Sequence, residues 1–568
     1  VVREAWLFLA IAFCFIVLTA LAFAPLGQKL GFLIKKHAPL AGCSICVAGA
    51  MAGAAAFSAM GALSLRPEWW FIAGMAPALY FSRKPAVALA VALALTIGIP
   101  ALFFIKSEKA NWSTYQKITL TQMRDYTLDG YERLVGYELY ANKDFQEFGL
   151  DLSDKSMDQF PKLNMFRKFY DAPYAAARPK EVLIIGDGMG NAAAAALRFG
   201  AQRVDVVEID PVIAEYGRRL HPEKPFEDVR VHIYNADPRS FFMRAVIKYD
   251  LIAFYMPDSK AVSSSKSSLR KENYVYTLEI FQEAARLLNK DGAVSVSFLF
   301  ERPWMMRRAS LTLEKVFGHS PEKLGGGIFI AGNNGFGEEG GAGVEKRRAG
   351  VALPVDNWPY FYAEKKGIPV AYRAVLLLVL ALLPALIRFS APGAAKRLNG
   401  QFLFLGAAFM LIAARSFSLS ALLLGAAWSA NLLSITSALL MILLAILTAH
   451  FVENIPKSAA YAALIGCLLA FYFIPAEIYF GMNFAARTAL LPLIFGAPMF
   501  FAGIVFAILF RDSSDLKSTL GSIITGAALG CLLEYSALFF GLRSLCLTAL
   551  ILLLISAIPI FNKHEAAP

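Results

Sequence analysis

Cysteine is absent from the middle of this chain of 568 residues, and charged residues are scarce at both ends. All six cysteines lie outside residues 106–368, so no disulfide framework is expected in that segment. Cys43 and Cys46 have a C-x-x-C spacing but lie in an apolar stretch rich in glycine and alanine. We interpret them as packing residues, and we expect no metal site.

Charged residues make up only 17% of the chain, and most of them fall within residues 106–368, whereas hydrophobic residues make up 57%. This balance excludes an ordinary soluble protein. A membrane helix needs about 20 apolar residues. We therefore predict an α-helical polytopic membrane protein into which a soluble domain, residues 106–368, is inserted.

The apolar stretches form two blocks that flank the soluble segment. The first block, residues 1–105, is predicted to hold about four spans, near 5–24, 39–63, 69–82 and 85–105. The second block, residues 369–568, is predicted to hold about seven, near 370–390, 401–424, 428–451, 458–480, 488–510, 518–541 and 543–561.

The central segment changes its pattern at about residue 180. Residues 111–150 alternate apolar and polar positions, with a turn signal at Asp129-Gly130, which predicts a small antiparallel β lead-in. Apolar strands then alternate with helices across 180–335, the predicted strands being 181–185, 204–209, 229–234, 251–256 and 293–298. One long amphipathic helix is predicted over 274–288. This alternation predicts a Rossmann-like α/β core of the methyltransferase type, covered on both faces.

A glycine turn and three acidic residues follow the predicted strands. Gly186, Gly188 and Gly190 come directly after the first strand, where glycine lets the backbone turn tightly and approach a ligand. Glu208 ends the second strand and suits two ribose hydroxyls. Asp237 follows the third strand and suits the adenine amino group, and Asp258 follows the fourth. Three acids at strand ends favour a binding crevice over ordinary solvated loops.

The glycine turn contains an acid, Asp187, and lacks the basic residue or full G-x-G-x-x-G that a phosphate would require. This favours an adenosyl cofactor that carries a positive sulfonium and no phosphate. The expected cofactor is S-adenosylmethionine or decarboxylated S-adenosylmethionine rather than NAD.

Several motifs together resemble the spermidine/spermine synthase family, and more closely its multi-spanning membrane branch. The family motifs are Val204-Asp-Val-Val-Glu208-Ile-Asp210-Pro211, His221-Pro222, Ala236-Asp237-Pro-Arg239 and Tyr249-Asp250-Leu-Ile. The membrane branch is suggested by Ser268-Leu-Arg270 to Thr277, Asp356-Asn-Trp358-Pro359-Tyr360 and Gly530-Cys-Leu-Leu-Glu534-Tyr535. The resemblance covers residues 112–362 well and the C-terminal helices moderately.

The resemblance implies an aminopropyltransferase, an enzyme that moves an aminopropyl group from decarboxylated S-adenosylmethionine to an amine and releases methylthioadenosine. By position, the three glycines would border the cofactor, Glu208 would bind the ribose and Asp237 the adenine. Gln116 matches a glutamine that contacts the cofactor. Asp258 matches the catalytic acid, which would take the proton of the attacking amine.

The chain also departs from the family pattern. Met189 stands where the soluble enzymes have an acid that contacts the aminopropyl amine, and Ala192 replaces the aspartate of the membrane relatives. Lys260 and Lys266 occupy the loop after Asp258 and would repel a cationic polyamine. The acceptor therefore stays open between a small amine and a membrane-associated acceptor.

Two other functions stay open: methyl transfer from S-adenosylmethionine, and a transporter or scaffold whose domain only senses the nucleoside. The lipid bilayer is an expected partner, a homodimer is a further alternative, and no nucleic acid is expected. Although the net charge is +12, much of the excess lies in short loops, as at Lys35, Lys36 and Arg388.

The distribution of basic residues between the two sets of loops, twelve against nine, mildly favours an external domain. Cofactor supply favours the cytoplasm, and we expect a cytoplasmic domain at a bacterial-type inner membrane. Within the apolar blocks, Arg415, Glu477 and Glu534 are costly charges and mark candidate functional or buried-pair positions. The nearby Gly526-x-x-x-Gly530 predicts close helix packing.

Overall fold

The structure, a computed structural model, describes most of the chain. The described residues are 2–34, 36–81, 110–142, 144–255, 274–298, 303–325, 327–334, 336, 351–390, 398–424, 428–452, 454–474, 477–480, 482, 484–513 and 515–561. The span predicted near 85–105 and the roles predicted for Asp258, Lys260 and Lys266 lie outside them.

The chain divides into two compact units, which are described separately. An α/β unit comprises Ala56–Lys365 and Gly425–Trp428, and a helical unit comprises Val1–Ala55, Lys366–Leu424 and Ser429–Pro568. The predicted boundaries at 105 and 369 remain an expectation about where a membrane begins and ends.

The α/β unit contains a four-stranded antiparallel sheet, as the alternating pattern of 111–150 predicts. Its strands run in the order β1 (Ala110–Trp112), β2 (Lys117–Tyr126), β3 (Glu132–Ala141) and β4 (Asp144–Leu150). The turn between β2 and β3 contains Gly130 at φ +83°, a backbone conformation that favours glycine. The turn predicted at Asp129-Gly130 is thereby confirmed.

A seven-stranded sheet forms the core of the α/β unit. Its strands are β5 (Glu181–Ile185), β6 (Arg203–Glu208), β7 (Val231–Asn235), β8 (Tyr249–Tyr255), β9 (Leu288–Ser297), β10 (Glu322–Gly325) and β11 (Ile328–Gly332). Their order is β10-β11-β9-β8-β5-β6-β7. β5 to β9 pair in parallel, and β10 and β11 add an antiparallel edge. The predicted Rossmann-like fold is confirmed.

Both faces of this sheet are covered. Leu183, Ile185 and Phe254 pack on one face, and Ile184, Val206 and Ala253 pack on the other. Because successive side chains of a strand point to opposite faces, burial on both faces requires continuous apolar strands. The helices of the unit are Pro67–Phe81, Asp154–Gln159, Asn164–Ala177, Asn191–Arg198, Pro211–Leu220, Pro238–Phe242, Leu278–Arg286 and Pro303–Phe317.

The prediction of one helix over 274–288 is wrong. Residues Tyr274–Tyr276 form a single 3-10 turn, the helix spans only Leu278–Arg286, and Leu288 already begins β9. Thr277 has extended backbone angles, φ −77° and ψ 156°, and ends the turn. Its hydroxyl bonds to Asp356 Oδ1 at 2.8 Å, a contact from 79 residues away along the chain that local periodicity cannot anticipate.

The helical unit is built from apolar helices that range from 4 to 33 residues. With the helix Pro39–Ala62, which extends across the division between the units, they are Val2–Ile34, Val370–Ser390, Gly400–Leu424, Trp428–Phe451, Lys457–Phe473, Glu477–Phe480, Phe484–Arg511, Leu516–Leu533, Ala537–Phe540 and Ser544–Phe561. Among the described residues, five helices are long and apolar enough to cross a membrane: Pro39–Ala62, Gly400–Leu423, Leu432–Phe451, Leu493–Arg511 and Ser518–Phe540.

Small residues allow close packing inside the helical unit, as the glycine pair at 526 and 530 predicts. A Cβ atom at Gly526 would lie 1.9 Å from the Leu403 carbonyl oxygen, and one at Gly530 would lie 2.6 Å from that of Ala407. Glu534 begins a 3-10 turn after the helix Leu516–Leu533, rather than lying within a continuous helix. Arg415 lies in the middle of the helix Gly400–Leu424, and its side chain is buried.

Candidate active site

The glycine turn follows β5 and leads directly into the helix Asn191–Arg198. The Gly186 N–H donates to the Val207 carbonyl at 3.0 Å, and Gly186 and Gly190 have φ angles of +80° and +98°. Gly188 has a steric requirement of its own. A Cβ there would lie 2.4 Å from Ile213 Cγ2 and 3.0 Å from Glu208 Oε2. The turn therefore needs glycine at all three positions.

Glu208 and Asp237 lie at the ends of neighbouring parallel strands. Glu208 ends β6, is paired with Asn235 of β7, and accepts a hydrogen bond from the Asp210 N–H at 2.9 Å. Asp237 follows β7 and accepts from the Ser240 N–H at 3.2 Å at the start of a short helix. Both are buried. The structure thus brings the two predicted nucleoside-binding acids to one edge of the sheet, beside the glycine turn.

Asp258, the predicted catalytic acid, lies outside the described residues. β8 ends at Tyr255, whose hydroxyl donates to the Tyr170 carbonyl oxygen at 2.8 Å. The Tyr255 ring stacks on Tyr170 at a centroid distance of 5.5 Å. The end of the fourth strand is therefore fixed at the same edge, and the role of Asp258 stays a prediction.

Gln116 reaches this edge from the antiparallel sheet. Its side-chain amide lies 3.4 Å from Asp210 Oδ2, and the buried Ser113 hydroxyl donates to the same oxygen at 2.7 Å. Because Asp210 also donates its N–H to Glu208, Gln116 is connected to the predicted ribose acid through one residue. The structure therefore places Gln116 next to the other predicted residues.

Glu147, in the middle of β4, is a site residue that sequence reasoning missed. Its Oε2 accepts from the Met189 N–H in the glycine turn at 3.2 Å. A Cβ at Gly188 would lie 3.2 Å from its Oε1, so this oxygen and Glu208 Oε2 approach the same point. In the sequence, only the alternation of inward and outward positions along the predicted strand could have indicated that Glu147 faces inward.

Asp187 has a different role from the one its position suggested. It is buried, and its carboxylate accepts from the Ala192 N–H at 3.0 Å and the Ala193 N–H at 2.8 Å. These amides belong to the first turn of the helix Asn191–Arg198, where a carboxylate satisfies otherwise unpaired donors. Asp187 thus stabilises the start of the helix, and the acids that remain to attract a sulfonium are its neighbours.

Burial disfavours the charged forms of these acids. It raises the pKa of Glu208 to about 8 and that of Asp187 to about 7. It also raises the pKa of Glu147 and of Asp210, and the charge of Glu208 raises the Glu147 pKa further. Within the described residues, no lysine or arginine forms an ion pair with any of these four acids. The edge therefore suits a positively charged ligand.

Asn191 fastens the antiparallel sheet to the glycine turn. Its amide donates to the Phe148 carbonyl at 2.9 Å, and its carbonyl accepts from the Leu150 N–H at 3.0 Å. His221 Nε2 lies 2.8 Å from the same Asn191 oxygen. The Glu223 N–H donates to His221 Nδ1, so Nε2 carries the ring proton. β4 is thus held on both sides of residue 149.

The Asp356-Asn-Trp-Pro-Tyr segment packs beside the short helix that follows Asp237. Arg239, in that helix, forms a buried ion pair with both oxygens of Asp356, and Thr277 donates to Asp356 Oδ1. Arg308 holds the residues after this segment by donating to the Ala363 and Glu364 carbonyl oxygens at 2.7 and 2.9 Å. The motif is therefore part of the wall that supports the Asp237 loop.

These positions fit an adenosyl group without a phosphate. Glu208 and Asp237 are acceptors at neighbouring strand ends, and Gly188 leaves a space that a side chain would fill. Residues 170–320 match the family model described as "Spermine/spermidine synthase domain". This matched segment is similar to spermine/spermidine synthase domains. Glu208 and Asp237 lie within it, whereas Gln116 and Glu147 lie before it.

Curated relatives match the chain over part of its length and part of theirs. The polyamine aminopropyltransferase of Vibrio vulnificus is 30% identical over 145 residues, which is 25% of this chain and 44% of that protein. That of Lachnospira eligens is 32% identical, covering 20% of this chain and 38% of that protein. Putrescine N-methyltransferase 2 of Nicotiana attenuata is 29% identical, covering 20% and 30%. The chain spans less than half of each.

Among solved structures, the spermidine synthase of Thermotoga maritima is similar to part of the chain. It has 19% sequence identity and a TM-score of 0.28, with 47% of this chain and 87% of that chain covered.

Proposed function

We propose that the chain is an aminopropyltransferase that takes its donor, decarboxylated S-adenosylmethionine, at the carboxyl edge of the parallel sheet. The observation that carries this proposal is the pair of buried acids Glu208 and Asp237 at neighbouring strand ends, beside the glycine turn of a spermine/spermidine synthase domain. The names of the aminopropyltransferase relatives support it.

In this proposal the two acids bind opposite ends of the nucleoside. Glu208 accepts hydrogen bonds from the ribose hydroxyls, and Asp237 accepts from the adenine amino group. The glycine turn lies between them and lets the backbone approach the ligand. Glu208, Glu147, Asp187 and Asp210 form no ion pair with a lysine or arginine that the structure describes. Such a cluster favours the positive sulfonium, because buried like charges are costly until a cation neutralises them.

The transfer is an in-line displacement. The acceptor nitrogen attacks the methylene carbon bonded to the sulfonium, the carbon–sulfur bond breaks, and its electron pair makes neutral methylthioadenosine. Alignment of the two reactants provides most of the acceleration. The new ammonium loses a proton, and Asp258 is the proposed acceptor, a role typically associated with a rate factor of roughly 10²–10⁴.

Product analysis tests the reaction. The full chain, purified in detergent and supplied with decarboxylated S-adenosylmethionine and putrescine, is expected to release methylthioadenosine. Asp258→Asn should retain nucleoside binding and lose about 10²-fold or more in turnover. The control is Asp291→Asn, since Asp291 is exposed and its carboxylate bonds to Asn334. Full turnover by Asp258→Asn would remove the proposed role of Asp258.

Methyl transfer is the second candidate, because a putrescine N-methyltransferase also matches part of the chain. It uses the same nucleoside pocket but takes S-adenosylmethionine and releases S-adenosylhomocysteine. The product therefore separates the two reactions. If neither product forms while the nucleoside still binds, the domain acts as a sensor.

We also propose that the helical unit is embedded in a bilayer, with the α/β unit on the cytoplasmic side. Five helices within the described part of the chain meet the length and hydropathy of a span, and apolar side chains such as Leu444, Ile551 and Leu554 are exposed on helix surfaces. Extraction by detergent but not by alkaline carbonate supports insertion. Protease digestion of inside-out and right-side-out vesicles identifies the side.

A further inference from the structure

The Glu147 carboxylate is the one acid of the site that comes from the antiparallel sheet. The residue is 8% exposed, and its Oε2 is held by the Met189 N–H. Its Oε1 accepts no hydrogen bond from any residue that the structure describes. That oxygen faces the point near Gly188 which Glu208 Oε2 also approaches.

The strand that carries Glu147 cannot easily turn it away. Asn191 bonds to the backbone of Phe148 and Leu150, the residues that follow it, and His221 fixes the Asn191 amide. Register with β3 pairs Glu147 with Leu139, a buried residue. The carboxylate is therefore built into the glycine turn and is not a mobile surface acid.

The groups around Glu147 leave its charge uncompensated. Among the residues that the structure describes, the charged groups with the largest effect on it are Glu208, Asp187 and Asp210, and all three are acids. His221, on the other side of the glycine turn, is neutral at physiological pH because burial lowers its pKa to about 3. A buried carboxylate without an ion-pair partner is costly. A positively charged ligand therefore binds more tightly when it neutralises this carboxylate.

We propose that Glu147 binds the cationic tail of the donor and makes the site prefer the decarboxylated form. This inference rests on the proposed function. In this inference Glu147, which lies outside the matched residues 170–320, recognises the aminopropyl ammonium. The neighbouring Met189 side chain carries no charge.

Charge decides the preference. The decarboxylated donor carries a sulfonium and an ammonium, so both its charges are attracted by Glu147 and Glu208. S-Adenosylmethionine adds a carboxylate at the end of the same tail, which these acids repel. Methylthioadenosine has neither charge and reports on the nucleoside pocket alone.

Calorimetry on the full chain in detergent, with these three nucleosides, tests the proposal through Glu147→Gln. Glutamine keeps the volume and an oxygen that can accept from the Met189 N–H, and it removes the charge. The expected result is a loss of affinity of about tenfold or more for the decarboxylated donor, whereas the affinity for methylthioadenosine should change by less than about twofold. The affinity for S-adenosylmethionine should fall by less than the affinity for the decarboxylated donor. Glu138→Gln is the control, since Glu138 bonds to the Tyr140 hydroxyl and not to the glycine turn.

Two outcomes overturn the proposal: an unchanged affinity for the decarboxylated donor, or an equal loss for all three nucleosides, which indicates a structural role. Both leave the proposed function standing if the wild-type chain binds the nucleosides and forms methylthioadenosine. Failure of the wild-type chain to bind any of the three removes the proposed function itself. The two failures are thus distinguishable in one set of titrations.

Discussion

The two sheets of the α/β unit contribute to the candidate site in different ways. The parallel sheet supplies residues that follow strand ends: the glycine turn after β5, Glu208 at the end of β6 and Asp237 after β7. Parallel strands bring their carboxyl ends to a common edge, so the backbone topology alone gathers these residues. Their position depends little on side-chain packing.

The antiparallel sheet contributes Gln116, just before β2, and Glu147, in the middle of β4. Their position depends on the register of β3 with β4 and on the Asn191 contacts that hold β4 to the glycine turn. This sheet lies before residues 170–320, which match the synthase domain. In the proposed function, the parallel sheet binds the nucleoside, and the antiparallel sheet selects the group that is attached to the nucleoside.

The largest effect is expected from Gly188→Val, which tests the contribution of the parallel sheet. A Cβ at this position already lies 2.4 Å from Ile213 Cγ2, and the further methyl groups would fill the approach to Glu208. We expect nucleoside affinity to fall by more than about 10³-fold and the free energy of unfolding by about 1–3 kcal/mol. Gly466→Ala is the control, since no atom lies within 4 Å of its added methyl group. Retained affinity in Gly188→Val would contradict the location of the pocket.

Glu208→Gln should have the next largest effect. A hydrogen bond to a charged group contributes about 1.5–3 kcal/mol, and Glu208 is proposed to make two with the ribose. We expect roughly a hundredfold weaker binding of methylthioadenosine, measured by calorimetry. The control is Glu215→Gln. Glu215 and Arg219 form an ion pair within the helix Pro211–Leu220, and this variant should bind methylthioadenosine normally. Equal losses in both variants would indicate a general charge effect instead of ribose recognition.

The sequence was sufficient to predict the part of the site that depends on the parallel sheet. β5 was predicted at its observed bounds, and the buried strands, the glycine turn and the acids after them follow from periodicity and glycine alone. These features are local, because strand, turn and helix follow one another within a few residues. The fold class and the positions of Glu208 and Asp237 therefore required no knowledge of long-range contacts.

The remaining features depend on contacts between distant residues. Glu147 enters the site through contacts with Met189 and Asn191, more than 40 residues away. Thr277 ends its turn through Asp356, which truncates the predicted helix. The sequence shows that Asp187 makes the turn acidic, but it does not show that the carboxylate accepts from the Ala192 and Ala193 N–H groups of the following helix. Periodicity contains no information about such pairs.

A change of pH should have a smaller effect than the Gly188 and Glu208 substitutions. Stability and ligand affinity should change in opposite directions as the pH rises. In the free protein, burial raises the Glu208 pKa from 4.5 to about 8, so the folded state keeps a proton that the unfolded chain releases. Stability therefore falls as pH rises between these two values. A cationic nucleoside binds the deprotonated acid, so its affinity should rise by up to about tenfold per pH unit from pH 6 to 8.

Melting curves and calorimetry at pH 6, 7 and 8, in two buffers with different ionisation heats, measure both slopes. Proton release on binding is expected, and Glu208→Gln should flatten the affinity slope. Glu147, whose pKa burial also raises, adds to the same trend. An affinity for the decarboxylated donor that does not change over this range would show that the acids are already ionised in the free protein.

The smallest effect should come from Gln116→Ala in the antiparallel sheet. Its amide lies 3.4 Å from Asp210 Oδ2, a long hydrogen bond, and Ser113 already bonds to the same oxygen at 2.7 Å. Loss of one such bond costs about 0.5–1.5 kcal/mol, which is roughly 2- to 10-fold in affinity. The melting temperature separates two causes. A loss of affinity at unchanged stability means that Gln116 touches the nucleoside directly. An equal loss of stability means that it acts by holding Asp210, and then Ser113→Ala should cost more, because the Ser113 bond is shorter and buried.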